Sequence, residues 1–263
     1  MIRGMAGPRA AGAFFYPFRG LRFLTRHPRL VGLVAVPVAI NTLLFGLFAW
    51  FAGSRFGQWL DRMLPQGEGW WWALLYYLAA FVGAVILLVV IVYAFALVGN
   101  LILAPFNDLL SERVERIYTG TTLDEPFRLG AFLRDMGRSF QAALGRMALY
   151  LAGFGLVLAL NLIPGLGSVA SAVLAPLVAF FFLGWEYLDY SLERWRLPFG
   201  AKRRAVFHNA PAVVAFGCGA SLLLMIPLLN LLAIPVCVVG GTLLFCDLRR
   251  DGRVRLPAPV SDP

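Results

Sequence analysis

One unbroken stretch of this chain, from Gly69 to Asn107, runs 39 residues without an aspartate, glutamate, lysine or arginine. As a single helix it would extend roughly 58 Å, about twice the hydrocarbon thickness of a bilayer. A second uncharged run, Leu30 to Ser54, has 25 residues and exceeds the roughly 20 needed for one crossing. Runs of this length do not occur in soluble cores, so the bilayer sets the architecture. Composition agrees: 60% of the 263 residues are hydrophobic and 14% are charged, against about 45–50% and about 25% in ordinary soluble domains. The expected fold class is all-α integral membrane, with two long transmembrane helices, two partly inserted helical hairpins and amphipathic interfacial helices. Residues 1–255 form a single membrane domain in this reading, and 256–263 a flexible tail.

The first long helix is expected at about 30–54, with a kink or late start at Pro37 because proline removes a backbone donor. Residues 55–69 carry Arg55, Asp61, Arg62 and Glu68 with Pro65, and read as a loop. The second helix is expected at about 70–118. Trp70, Trp71 and Trp72 mark an interface. Past Asn107 an amphipathic stretch continues it, with Leu109, Leu110, Val114 and Ile117 on one face and Glu112 and Arg116 paired at i,i+4. Thr122 to Glu125 has the pattern of a capping box, and about 126–145 reads as a helix lying among the headgroups, with Arg134 and Arg138 opposite its apolar face.

Two further uncharged stretches are each broken near the middle. Ile163-Pro164-Gly165-Leu166-Gly167 interrupts one and Ile226-Pro227-Leu228-Leu229-Asn230 the other. They predict hairpins at about 147–185 and 208–246, with arms of roughly 16–18 residues, near the lower limit for a span. Charges gather at the open ends, Arg146 and Glu186 in one case, Arg204 and Asp247 in the other. The arginines before the first span and those flanking the last hairpin place both termini in the cytoplasm by the positive-inside rule. The N-terminal segment carries Arg19, Arg22, Arg26 and Arg29 and no cleavage-site pattern, so it is expected to be retained.

The net charge of +9 is almost wholly arginine, with Lys202 the single lysine. These charges flank apolar runs and form no stripe, which points to anionic lipid headgroups and not to nucleic acid. No catalytic motif occurs, so the chain reads as a non-enzyme. His27 and His208 have no carboxylate at helical spacing. Cys218, Cys237 and Cys246 are odd in number and lack ligand spacing, so neither a metal nor a cofactor is expected. Polar residues inside apolar runs are the remaining candidates. Asn41 and Asn100 either bond one helix to another or line a polar path. Asn107, Glu112 and Glu115 are either solvated or frame a cytoplasmic mouth. Arg22, Arg26 and Arg29 either fix topology at lipid phosphates or form an anion entrance, since guanidinium suits tetrahedral oxyanions and a helix start adds amide donors.

Several segments carry a family likeness over roughly 15–250. They are Ala104-Pro105-Phe106-Asn107-Asp108-Leu109-Leu110 running into Glu112 and Glu115; Ile163-Pro164-Gly165-Leu166-Gly167; Asp189-Tyr190 with Leu197-Pro198-Phe199; and Ile226-Pro227-Leu228-Leu229-Asn230-Leu231 before Ile234-Pro235. In these the chain resembles the CysZ-type sulfate permeases of the wider etoposide-induced membrane protein family. The resemblance implies a bacterial inner-membrane homo-oligomer that passes sulfate for cysteine synthesis without a nucleotide-hydrolysing domain. The family's sulfate site looks like Gly-Leu-Arg-Arg after a proline at the start of the first long helix. The matching stretch here is Arg29-Leu30-Val31-Gly32 after Pro28, without the arginine pair. Arg26 and Arg29, with Arg22 nearby, are the substitutes. Gly20-Leu21-Arg22 lies about nine residues too early and reads as coincidence. The alternative reading is a non-transporting membrane protein of the same fold, acting in envelope organisation or complex assembly.

Overall fold

A computed structural model describes residues 10–63, 69–120, 129–163, 165–226 and 230–254. These residues are helical apart from short turns, and no strand occurs among them. In chain order the helices are α1 (Ala10–Ala13), α2 (Tyr16–Arg26), α3 (Pro28–Met63), α4 (Trp70–Thr119), α5 (Leu129–Leu160), α6 (Leu166–Arg194), α7 (Phe199–His208), α8 (Ala210–Leu224) and α9 (Asn230–Arg250). Five stretches are long and apolar enough to cross a membrane: Pro28–Arg62, Trp70–Tyr93, Gly137–Leu160, Leu166–Arg194 and Leu232–Arg250. The pair α7 and α8, bent by 84° at Asn209, would be a sixth if counted as one span. The Thr122–Glu125 capping pattern, Pro164 and the 227–229 turn lie outside the described residues.

The chain divides into two compact units, one of them Gly32–Phe106. Within that unit α3 and α4 run antiparallel. Asn41 Nδ2 donates to Gly99 O at 3.3 Å, the Phe56 ring sits against Gly83, and Tyr76 OH donates to Asp61 Oδ1 at 2.9 Å. The first partner's number rises as the second's falls. α3 differs from the sequence expectation at its far end, where 55–63 is helix and not loop. Arg55 lies over the Phe51 ring at 5.5 Å, Leu60 is buried and Asp61 is held by Tyr76. Arg55 and Asp61, two of the charged residues that suggested a loop, thus have a helical neighbour and an α4 partner respectively. Pro37 lies inside the helix and does not end it. The 36 residues of α3 extend about 54 Å, and the 50 of α4 about 75 Å. Trp70–Tyr93 is exposed along nearly its whole length, the pattern of a helix solvated by lipid tails, where every backbone group is satisfied within the helix.

The other unit is built around α9. Cys237, Val238, Val239, Thr242, Leu244, Phe245 and Leu248 have no measurable exposure. All three cysteines are free thiols. α2 packs on α9 and α8, and α6 packs on α8 and α9. The segment before the first uncharged run is therefore core, with Ala13, Tyr16 and Leu24 buried. Between lipid-embedded helices there is little hydrophobic driving force, so close backbone approach at small residues does the packing. A Cβ on Gly20 would fall 2.4 Å from Val236 O and 2.8 Å from the Gly240 nitrogen. Only a residue without a side chain fits there.

Two boundaries in this unit differ from expectation. The headgroup helix expected at about 126–145 and the hairpin arm from 147 are one helix, α5. Nothing breaks it at the junction. Arg146 is neutralised by Asp189 at 3.1 Å, and Gly145 accommodates the Phe199 ring. The stretch from Ala205 is broken at Asn209, not only near 227. Asn209 Nδ2 bonds Ala205 O at 2.8 Å, ending α7, and Pro211 lies in the first turn of α8, where its missing N–H costs nothing. The turn between α5 and α6 uses Gly165 at φ 78°, which favours glycine.

The contact between α2 and α9 gives a direct test. Gly20→Val should lower stability by about 1–3 kcal/mol or more through overpacking, whereas Gly12→Val, with nothing within 4 Å of its new Cβ, should change little. Thermal unfolding of the detergent-solubilised variants, followed by size-exclusion recovery, checks this. Equal melting of the two would remove the contact.

Candidate functional site

Arg22 and Arg26 lie on α2 and Arg29 lies in the first turn of α3. All three are exposed, and none has a carboxylate within 4.0 Å among the described residues. Buried Leu24 and Leu30 pin the corner between the two helices, and Leu30 N–H closes back on His27 O at 2.9 Å. His27 itself bonds Phe23 O through Nδ1 at 2.9 Å and lies against the Phe23 ring. Two arginines therefore sit late in one helix and a third at the start of the next. A cation at a helix start opposes the helix dipole, and a bound anion there would relieve the opposition. Val31 and Gly32 follow Arg29 as exposed, uncharged residues.

Several other cations of the same unit are placed differently. Glu115, 5% exposed at its side chain, accepts from Arg194 Nη1 at 2.8 Å, Trp195 Nε1 at 2.8 Å and Arg249 Nη1 at 3.4 Å. Arg249 also lies over the Trp195 ring at 4.2 Å. Lys202, 1% exposed, donates to Asp189 at 2.9 Å and to Glu193. Asp189 further binds Arg146, and Glu193 binds Ser139 at 2.5 Å and Arg138 at 3.6 Å. Asp247 accepts from Tyr16 OH at 2.6 Å and Tyr118 OH at 2.9 Å, and pairs with Arg250 at 3.0 Å. Burial and the Asp247 carboxylate push the Tyr118 phenol up to about 12 and raise that of Tyr16 as well. Ser111 joins the array through Ser191 at 3.4 Å and Thr242 at 2.8 Å.

The cations of this array are paired with shared carboxylates, so the array ties helices together. Arg22, Arg26 and Arg29 have no such partner among the described residues, and a local excess of one sign is what raises counter-ion concentration at a surface. The sequence reading gave Lys202 and Arg249 to the solvated flank and left Glu115 between solvent and a mouth. In the structure Glu115 and Lys202 are buried and paired. The available signal was the spacing of Asp189 and Glu193 at i,i+4 beside the chain's single lysine.

Of the polar residues within apolar runs, Asn41 is 2% exposed and takes the helix-to-helix role through Gly99. Asn107 is 3% exposed. Glu112 is half exposed and pairs with Arg116 at 3.1 Å. The side chain of Asn100 lies outside the described residues. Arg22, Arg26 and Arg29 fall on the helices either side of the α2–α3 corner, and the asparagines lie apart from them in the chain. No group of three His, Cys, Asp or Glu side chains placed to hold a metal occurs among the described residues.

Removing one member of a buried ion pair strands its partners, at a cost of about 3–5 kcal/mol. Glu115→Ala should lose about that much stability, and Glu112→Ala, whose partner is one exposed helix turn away, about 0.5 kcal/mol or less. Denaturant unfolding of the two variants compares them. Similar losses would place Glu115 outside the scaffold.

The sequence profile of the family described as "Sulfate transporter CysZ/Etoposide-induced protein 2.4" matches residues 16–235. The curated "Sulfate transporter CysZ" of Pectobacterium atrosepticum is 31% identical over 242 residues, which is 92% of this chain and 87% of that protein. With five helices able to cross a bilayer, the chain is a multi-pass membrane protein. The matched span takes in the α2–α3 corner, Glu115, Asp189 and Lys202, and on this evidence the chain belongs to the sulfate transporter CysZ/etoposide-induced protein 2.4 family.

Proposed function

We propose that the chain is a sulfate permease of the bacterial inner membrane, supplying sulfate for cysteine synthesis, and a transporter rather than an enzyme. The observation that carries this reading is the α2–α3 corner. There Arg22, Arg26 and Arg29 are exposed without carboxylate partners at the start of a long apolar helix, in a chain 31% identical to a sulfate transporter. Sulfate is a tetrahedral dianion. Guanidinium donors supply paired hydrogen bonds to it, and first-turn amides supply more. Arg26 and Arg29 take the place of the arginine pair that positions 31 and 32 lack. Asn41, Asn100, Asn107 and Glu112 mark the proposed route along α3 and α4.

In this reading α3 and α4 are the full spans, while α5–α6 and α8–α9 enter as partly inserted hairpins. One of the four arms supports it: α8 has 15 residues, about 22 Å of helix, short of the hydrocarbon thickness. Both termini lie in the cytoplasm, arginines contact anionic headgroups, and copies of the chain assemble as a homo-oligomer.

Wild-type protein in proteoliposomes should pass radiolabelled sulfate, and calorimetry should detect its binding. Charge-assisted hydrogen bonds are worth roughly 1.5–3 kcal/mol, so Arg26→Ala or Arg29→Ala should weaken binding about 10- to 150-fold. Arg26→Lys should recover only part, because an ammonium lacks the planar donor pair. Full recovery by lysine would reduce the arginines to headgroup anchors. No sulfate binding by the wild type would sink the reading and favour a non-transporting role in envelope organisation or complex assembly.

The arrangement in the membrane is checked separately. Reporter fusions at residues 5 and 258 should both read cytoplasm, and one near Gly67 the opposite side. A C-terminal fusion on the far side would overturn the pairing of two spans with two hairpins.

A further inference from the structure

A groove of about 430 Å³ lies between α5 and α6, lined by Ala143, Met147, Tyr150, Ala179, Phe182 and Leu183, with Arg146 and Glu186 at its charged end. We propose that this groove binds a zwitterionic phospholipid with a primary-amine headgroup, of the phosphatidylethanolamine type.

Residues 147–163 and 165–185 contain no charge, so Arg146 and Glu186 are the first charges met on leaving the apolar part of each arm. That is the depth at which a phospholipid changes from acyl chain to headgroup. The apolar wall is well defined. Tyr150 and Phe182 meet edge to face at 5.2 Å, and Phe182 stacks on Trp185 at 5.9 Å. The volume falls in the ordinary range for small-molecule sites. It takes a headgroup and the upper carbons of the chains, the rest lying along the exposed arms.

The two charges select the occupant. Arg146 gives one nitrogen to Asp189 at 3.1 Å, and a guanidinium has five donors, so others remain for a phosphate. Glu186 is exposed and has no cation within 4.0 Å among the described residues. An unpaired carboxylate beside an apolar groove calls for a cation that also donates hydrogen bonds. A headgroup carrying only negative charge would answer Arg146 and oppose Glu186. A choline group carries the positive charge without a donor. An ethanolamine phosphate answers both residues at once.

The test titrates delipidated, full-length protein in mild detergent with phosphatidylethanolamine, phosphatidylglycerol or phosphatidylcholine of matched acyl chains, and reads adducts by native mass spectrometry. The ethanolamine lipid should bind on the order of tenfold more tightly than the other two, the worth of one charge-assisted hydrogen bond. Glu186→Gln should bring it to the level of the choline lipid. Ala143→Trp, which fills the groove from an exposed position, should remove binding of all three. Glu186→Gln changes an unpaired exposed side chain, so it reads the headgroup even if the tryptophan variant fails to fold. Equal binding of the three lipids, or a preference for phosphatidylglycerol, overturns the proposal. So does disulfide cross-linking of two copies through Ala143→Cys in a cysteine-free background, which would show the groove filled by a second chain.

Discussion

Glu115 is the residue on which the unit around α9 depends. It lies on the last turns of α4, yet its carboxylate accepts from the end of α6 through Arg194, from Trp195 just beyond it, and from Arg249 on α9. A buried carboxylate with three donors orients those donors as firmly as they orient it. The neighbouring links repeat the arrangement at smaller scale. Ser111 meets Ser191 and Thr242, Asp247 collects two tyrosine hydroxyls, and Asp189 and Glu193 enclose Lys202. In a medium where apolar burial offers little between helices, such polar ties and close glycine contacts specify the arrangement.

This use of charge explains what was legible in the sequence. Helix class and the uncharged helices were readable because hydrocarbon admits no charge, and a run without charge marks a helix whatever it packs against. The amphipathic continuation of α4 was readable from spacing alone, since Glu112 and Arg116 pair within one helix. Where a charged residue's partner lies far along the chain, the local reading failed. Asp61 looked like loop because Tyr76 was not visible as its partner, and the segment 126–145 looked separate from the hairpin because the Arg146–Asp189 pair was hidden.

The candidate site divides the same way. Arg22, Arg26 and Arg29 stood out as a cluster, and the structure leaves them exposed on the helices either side of one corner. Glu115 read as solvated or as part of a mouth and Lys202 as a flanking charge, since nothing local separates a buried charge from a solvated one. Asn41 could be read either as path or as tie, and its bond to Gly99 O was not visible in the sequence. The packing role of α2 was hidden for another reason. Its buried face of Tyr16, Pro17, Gly20 and Leu24 is interleaved with arginines, and the fit of Gly20 against Gly240 is a matter of shape, not hydropathy.

The bond from Tyr16 to Asp247 joins residues 231 apart in sequence, and the helices bearing them pack along their length. This has a consequence for how the protein is made. Ribosomes add about 5–20 residues each second, so α2 leaves the exit tunnel roughly 10–45 s before α9 exists. Until α8 and α9 are made its apolar face lacks the helices that cover it, while its arginines favour the anionic surface nearby. An early helix, α2, therefore precedes by that interval the helix it packs against most extensively. A chain truncated before α9 would leave α2 only its contact with α8.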